Sequence, residues 1–557
     1  MELTQEQKDI LKAFKKNSKI KINAYAGTGK TTTLKAITED NPEKKFLIIT
    51  FNKAISDELK TKMPKNCQIY TIHSLAYKFL PDEYKNKLTN NTKIMVDEII
   101  KLMEVDSIRA NLYVKVFEAF CNSDYLKINS ESIKRIIFGN RELKNYLYFT
   151  NNQKQTTQQY IEQITDAIEY IFFAIKRQQL PITHSYYLKL FQQNLDNYKD
   201  FFKKFDAILV DEGQDLNGIQ EYILKNAPVK KKVIVGDKHQ SIYSWRGSIN
   251  TLARLKEWKE YPLTTTFRIQ NKEIIEYTNK FLKNWKRDNH EIKSKNTQKI
   301  NQTLAYITRT NSKIVELIAS AKEPVKFSRN IDDIFRVVRE AQKIIYYFNT
   351  GNEKHLTGMP IYIKEMLKRL RNKTRSIEEL SVELSALGEF EYSRAIHVAL
   401  KYDIEALYQK ALKLNSPNSK IMLTTAHSSK GLEFREIYLT EDFPPLLDYI
   451  IEFIKVEIKE DLRKLKEEEV KKLADGIVNH VEEYSEIIDE MNLQYVAITR
   501  AIENAKGYGY QIIKNNFNTV LNEKTIMEEV KKEIKKKRLE EMPEFLNNTG
   551  IDWKKLL

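Results

Sequence analysis

Short runs of consecutive apolar residues recur along the chain, each closed by polar or turn-forming residues. They are "KFLIITF" (45–51), "AILVDE" (207–212), "KKVIVGD" (231–237), "TLAYITRT" (303–310), "KIMLTTAH" (420–427) and "REIYLTE" (435–441). Continuous apolar runs of this length, rich in β-branched residues, predict strands covered on both faces, as in a parallel sheet. A further short strand is predicted where Ile20, Ile22 and Ala24 alternate with Lys21 and Asn23. Helical patterns separate the runs, so the predicted class is α/β with doubly wound layers. Two stretches break the rhythm. Residues 86–200 are helical in period, as in "TTQQYIEQITDAIEYIFFAIKRQQ". So are residues 326–414, as in "IDDIFRVVREAQKIIYYFN" and "EYSRAIHVALKYDIEALYQKALKL". Both read as helical insertions into the α/β layers.

A third stretch, 444–490, is charged and helical. Ile451, Ile454, Ile458, Leu462 and Leu465 fall at helical spacing, as do Val470, Leu473, Ile477, Val481, Tyr484 and Ile488. The pattern predicts two amphipathic helices in an antiparallel hairpin, with a break near Arg463–Lys472. The tail from 521 to 557, with "VKKEIKKKRLEEM", reads as a solvated charged helix. There is no internal repeat, Pro-rich linker or low-complexity tail.

Composition narrows the class. At 557 residues, 41% apolar and 11% aromatic, the chain can build several cores and is globular. A formal charge of +16 favours a polyanionic partner, although a general richness in Lys and Asn would produce the same excess. The two cysteines, Cys67 and Cys121, make no disulfide framework, which suits a reducing compartment. The eight histidines show no spacing suited to zinc. The start, "MELTQEQKDI", is no signal peptide, and no apolar run is long enough to span a bilayer. The expectation is a cytoplasmic protein, prokaryotic or from a viral host's cytoplasm rather than nuclear, with no membrane partner.

The chemistry begins at "KIKINAYAGTGKTTTLK" (19–35), a strand, a glycine-bearing loop and a helix start. Gly27 and Gly29 let backbone N–H groups approach phosphates at the positive end of a helix dipole. Lys30 would reach the β- and γ-phosphates, and Thr31 would put its hydroxyl on Mg²⁺. Ala24 stands where the pattern G-x-x-x-x-G-K-[ST] has glycine, which matters only if that position needs a positive φ. In "ILVDEGQD" (208–215), Asp211 ends an apolar strand and is a candidate ligand of the same Mg²⁺. Glu212 is the candidate base that polarises the attacking water. In "VGDKHQSIYSWRGS" (235–248), Gln240 could sense the γ-phosphate. Tyr243 and Trp245 beside Arg246 suit stacking on exposed bases, with core packing equally open for Tyr243.

In order, these stretches resemble a superfamily 1 helicase of the UvrD/Rep type, over nearly the whole chain. "LTQEQK" (3–8) resembles the adenine-reading glutamine motif, with Gln7 as reader, and "AGTGKT" (26–31) resembles motif I. The resemblance implies that Ala26, Gly27, Thr28, Gly29, Lys30, Thr31 and Thr32 line the phosphates. "TFNKAI" (50–55) and "TIHSLA" (71–76) resemble motifs Ia and Ib, which implies single-strand contacts at Phe51, Asn52 and His73. "DEGQD" resembles motif II, usually DEAQD, with Gly213 for alanine a small change. "GDKHQSIYSWRG" resembles motif III, and "LTTTFR" (263–268) motif IV, with Phe267 stacking on adenine and Arg268 reaching the γ-phosphate. "TTAHSSKGLEF" (424–434) resembles motif V, with Glu433 near the ribose and Thr425 and His427 on DNA. "NLQYVAITRA" (492–501) resembles motif VI, with Arg500 as arginine finger. "NAYAGTGKT", "TFNKAI" and "ITRTN" (307–311) look most like the F-box DNA helicase branch. The chain begins at the adenine motif, so no ubiquitin-ligase role is expected to carry over.

The resemblance implies two RecA-like P-loop domains with parallel sheets, each with a helical insertion, and ATP with Mg²⁺ between them. The first would comprise 1–85 and 201–262, with 86–200 inserted. The second would comprise 263–325, 415–443 and 491–520, with 326–414 inserted. The expected activity is an ATP-dependent 3′→5′ DNA helicase acting on single-stranded DNA and on junctions or tailed duplexes. Rival expectations are a translocase that strips proteins from single strands, or an ATPase subunit of a recombination or phage-defence complex. Residues 444–490 could dock a protein partner.

Overall fold

The chain is described by a computed structural model covering residues 2–86, 88, 94–151, 155–244, 247–295, 303–386, 390–458, 467–481 and 484–540. It divides into two compact units. The first is Met1–Leu263 with Val315–Glu323 and Arg329–Asn415. The second is Thr264–Ile314 with Pro324–Ser328 and Ser416–Leu557.

The first unit is built on a six-stranded parallel sheet. Its strands are β1 (Lys19–Ala24), β2 (Phe46–Thr50), β3 (Cys67–Thr71), β4 (Ala207–Val210), β5 (Lys231–Gly236) and β6 (Lys259–Leu263). Their order is β3-β2-β4-β5-β1-β6. β2 and β4 are buried at every position, as their unbroken apolar runs require. One face carries Ile20, Ile22, Ile48, Leu209, Val233 and Val235, packed on Ile10, Phe14, Leu34 and Ile37 of two helices. The other face carries Leu47, Ile49, Ile208, Val210 and Ile234, whose core runs on into Phe117, Phe120 and Ile168. The 86–200 insertion therefore shares the sheet's core and is not a separate body.

The expected second insertion supplies five helices, Ile331–Thr350, Ile361–Arg371, Ile377–Ala386, Phe390–Lys401 and Ile404–Leu414. From Arg329 on, these residues group with the first unit, although the chain enters them from the second sheet. The helix Ile361–Arg371 packs on Val96–Met103 and Ser107–Cys121, and Arg369 lies 3.8 Å from Asp106.

The second unit holds a parallel pair, β7 (Thr265–Thr266) with β8 (Lys293–Ser294), and a five-stranded parallel sheet. The sheet comprises β9 (Leu304–Thr308), β10 (Lys326–Phe327), β11 (Ile421–Thr425), β12 (Phe434–Leu439) and β13 (Ala501–Lys506), ordered β10-β11-β9-β12-β13. The α/β class with two parallel sheets is as predicted. The helix Ser485–Ile498, buried along Glu490–Ile498, leads into Thr499 and Arg500.

The 444–490 stretch departs from its expectation. Its helices are Leu446–Ile458 and Glu467–Asn479, and a third starts at Ser485, so the second predicted helix is broken between 479 and 485. Glu467–Lys472, placed in the predicted break, is helical, while Leu462 and Leu465 lie outside the described residues. Both helices pack on the C-terminal helix Glu523–Glu540. Ile451, Ile454, Val470 and Ile477 are buried, as are Ile526 and Val530. The tail helix is thus not solvated all round. Two apolar residues a turn apart were too few to register in a sequence dominated by Lys and Glu. Among the described residues, no helix is long and apolar enough to cross a membrane.

Candidate active site

β1 leads into the expected phosphate-binding loop. Ala24 is the last residue of that strand and fully buried, with none of the positive-φ geometry that would call for glycine. The left-handed positions are Gly27 (φ +73°) and Gly29 (φ +84°). There a side chain would be strained, and glycine is what the turn needs. Gly29 caps the helix Lys30–Glu39, so its first N–H groups and its dipole face the loop. Gln7, the expected adenine reader, is 2% exposed. Its amide oxygen accepts from Thr4 N (3.0 Å) and its amide nitrogen donates to Thr33 Oγ1 (3.0 Å), so it braces the same helix.

β4 delivers the acids. Lys30 Nζ donates to both carboxylate oxygens of Glu212, at 2.7 and 2.8 Å. Burial opposes the Lys30 charge, but Glu212, ahead of Asp211, overcomes it and holds the ammonium above its ordinary pKa. Asp211 is 3% exposed. Burial, then the Glu212 charge, pushes its carboxyl well up, and Lys30 pulls it back only in part. A buried carboxylate short of positive charge, and the Thr31 hydroxyl in the first turn of the Lys30–Glu39 helix, are oxygen donors of the kind a hard cation such as Mg²⁺ takes. Glu212 itself adopts φ +51°, a left-handed conformation that costs a non-glycine residue about 1–3 kcal/mol. Such strain at the candidate base is compatible with a fixed catalytic geometry.

Gln214 is a residue whose role the sequence reading missed. Fully buried, it donates to Glu212 Oε2 (2.6 Å) and accepts from Asp237 N (3.1 Å). Asp237 in turn accepts from Gln240 Nε2 (2.7 Å). The candidate base and the candidate γ-phosphate sensor are thus three hydrogen bonds apart, through Gln214 and Asp237. Tyr25 of the loop also stacks on His239, centroids 5.8 Å apart. Gly213, between Glu212 and Gln214, corrects an expectation. A Cβ there would lie 2.2 Å from Ile234 Cγ1, so alanine is not a small change in this chain.

The expected strand-contact residues of the first unit fall in two groups. Phe51 and Tyr243 are both half-buried and stack on each other, centroids 6.0 Å apart and 10° between planes. Asn52 is exposed and caps the helix Lys53–Lys62 through Ile55 N. His73 instead meets His184 and Tyr187 of the helical insertion edge-on, at 6.1 and 6.3 Å. Trp245 and Arg246 lie outside the described residues.

In the second unit, Arg268 Nε donates to Glu433 Oε2 (3.1 Å) and its Nη1 to Thr499 O (3.4 Å). Arg500 is 1% exposed; its guanidinium donates to Val496 O (2.9 Å) and Leu432 O (3.2 Å). Arg268, Glu433 and Arg500 therefore form one group around the motif V turn and the end of the Ser485–Ile498 helix. Phe267, beside Arg268, is half-buried. Thr425 is buried with its hydroxyl on Ser428 Oγ (3.0 Å), and His427 is half-buried in the same turn. Arg309 and Thr310 hold both stems of the 444–490 insertion. Their N–H groups reach Asp442 at 3.1 and 2.9 Å, and Arg309 Nε reaches the buried Glu490 at 2.8 Å.

Comparison with known proteins shows what the chain is similar to. Residues 3–262 match the UvrD/REP helicase N-terminal domain, the span that holds the phosphate loop, Asp211–Glu212 and Gln240. That first part of the chain is similar to UvrD/REP helicases. It is 33% identical over 276 residues to the F-box DNA helicase 1 of Gallus gallus, covering 48% of this chain and 26% of that protein. It is 25% identical over 562 residues to the F-box DNA helicase protein 1 of Schizosaccharomyces pombe, covering 90% of this chain and 56% of that protein. It is 28% identical over 219 residues to the ATP-dependent DNA helicase PcrA of Staphylococcus aureus, covering 35% of this chain and 29% of that protein. The chain thus spans between about a quarter and about half the length of these F-box relatives.

Proposed function

We propose that the chain is an ATP-driven DNA helicase that moves 3′→5′ along single-stranded DNA and opens tailed duplexes or junctions. The observation that supports this best is the hydrogen-bonded line from Glu212 through Gln214 to Asp237 and Gln240. It joins the hydrolytic group to the stretch that ends at Tyr243, which is stacked on Phe51. On this reading Lys30 neutralises the β- and γ-phosphates and leaves Glu212 when ATP arrives. Glu212 then orients and deprotonates the attacking water, and Gln240 reports whether the γ-phosphate is present. Mg²⁺, held by Thr31 and Asp211, would supply charge neutralisation at the phosphate oxygens. Arg268 and Arg500 act on the charge developing at the γ-phosphate, and Glu433 and Phe267 on the ribose and adenine. Alternate binding and release of ATP changes the grip of Phe51, Asn52, Tyr243, Thr425 and His427 on the strand. Directed stepping follows from that alternation.

The test is the ATPase rate with and without single-stranded DNA, followed by unwinding of 3′-tailed and 5′-tailed duplexes. Strong stimulation with 3′-tail preference is expected. An ATPase indifferent to DNA overturns the reading, and 5′-tail preference overturns the polarity.

A further inference from the structure

The helix His184–Gln193 of the first insertion carries an arrangement that the reaction as described leaves unexplained. Lys189 is fully buried. Its ammonium donates to Ser123 O (2.8 Å), Tyr125 O (2.9 Å) and Gln192 Oε1 (2.7 Å), and sits 4.6 Å from the Phe120 ring centre. Gln192 Nε2 donates to Asp124 O (3.0 Å), and Gln193 Nε2 to Leu126 O (2.8 Å). The carbonyls of residues 123 to 126 are thus all taken by three side chains of one helix. A buried ammonium is costly to desolvate, and an apolar residue of similar size is often at least as stabilising. What the charge adds here is a fixed backbone path for the 122–126 loop.

That loop packs against the Asn217–Ile219 segment, which follows the Glu212–Asp215 turn. Asn122 Oδ1 accepts from Asn217 Nδ2 (2.8 Å), and Asn122 O from Ile219 N (3.2 Å). A Cβ on Gly218 would lie 2.8 Å from Asp124 N, so the two backbones touch where only glycine fits. Asn217 pairs with Ser248 in an antiparallel bridge. Ser248 Oγ and Ser241 Oγ both donate to Gln214 O (3.0 Å each), and Gln214 holds Glu212. The same helix begins with His184 and Tyr187, which pack on His73, while Tyr187 also meets Tyr77 at 6.4 Å. One ten-residue helix therefore touches the expected strand-contact motif and, through a stiffened loop, the residue that orients the candidate base.

We infer that the His184–Gln193 helix couples strand contact at His73 to the Glu212–Gln214 turn, with Lys189 as the positioning residue that makes the 122–126 loop rigid enough to transmit it. The inference rests on the DNA-dependent ATPase proposed above. The test measures basal ATPase, ATPase saturated with single-stranded oligonucleotide, and oligonucleotide affinity for Lys189→Met and Asn122→Ala. Asn122 lies half-buried on the loop, so its variant decides the matter if Lys189→Met fails to fold. Loss of folded protein lowers both rates equally and leaves their ratio unchanged. Coupling lost through this helix lowers the ratio by at least about fivefold while affinity holds. An unchanged ratio in Asn122→Ala and in any folded Lys189→Met overturns the inference and leaves the proposed function standing. A wild-type rate indifferent to DNA overturns both.

Discussion

Replacing Gly213 by alanine tests the packing behind the candidate base. Gly213 has no positive φ, so its backbone tolerates a side chain. The obstacle is space. The added Cβ would lie 2.2 Å from Ile234 Cγ1 and 2.5 Å from Cδ1. Carbon atoms rest at about 3.5–4.0 Å, so the pair must part by more than about 1 Å. Ile234 cannot yield, because β5 is paired on both sides, with β4 and β1, and Ile234 is fully buried. Overpacking of this kind costs about 1–3 kcal/mol. The turn must shift instead, and Glu212 with it, so hydrolysis falls further than stability. Ile234→Ala alone should cost about 2–5 kcal/mol through the cavity it leaves. In the double variant the new methyl enters that cavity, the clash disappears, and one buried methyl returns about 0.8 kcal/mol. The double variant should therefore be at least as stable as Ile234→Ala, with a favourable coupling of about 2–4 kcal/mol, reaching past the roughly 0.5–3 kcal/mol usual for residues in contact. Denaturant unfolding of the four proteins, with ATPase rates alongside, measures the cycle. Wild-type stability in Gly213→Ala, or strictly additive losses, would refute the reasoning. By the same argument, relatives with alanine at this position should carry a smaller residue where this chain has Ile234.

Lys30→Ala and Glu212→Gln should each abolish ATP hydrolysis with DNA binding retained, measured by phosphate release and by anisotropy of a labelled oligonucleotide. Because Lys30 and Glu212 bind each other, Glu212→Gln should also bind ATP more tightly than wild type, and weaker binding would contradict their competition. Arg500→Ala should lower the stimulated rate by about 10³–10⁵, the usual worth of an arginine finger, and a wild-type rate would remove Arg500 from that role. Burial, followed by the neighbouring His184, lowers the His73 pKa to about 4, so the folded protein keeps this ring neutral. Its share of stability is complete above the unfolded value near 6.5 and is lost as pH falls from there through about 4. His73→Gln should therefore flatten the decline of the unfolding midpoint in that window, and an unaltered slope would contradict the assignment.

What the sequence showed and hid follows from position in the sheets. The six apolar runs read as strands are β2, β4, β5, β9, β11 and β12, and the alternating one is β1. All seven lie inside their sheets. The strands that escaped notice in these sheets, β3, β6, β10 and β13, are the four edges. An edge strand is covered on fewer sides, so it tolerates an exposed Gln68, a Pro262 or an exposed Lys506 that would be excluded from the middle. The site divides in the same way. Lys30, Asp211 and Glu212 could be put forward from the sequence because residue type and spacing alone suggest phosphate and acid chemistry. Gln214 and Lys189 were not, because their roles lie in their partners. Lys189 sits on a helix among tyrosines, leucines and glutamines, where a lysine ordinarily marks the solvated face. What reverses that is a set of carbonyls more than sixty residues earlier, and no local pattern encodes where they will be. A buried lysine whose partners are all supplied by its surroundings is therefore the kind of residue that only the folded chain identifies.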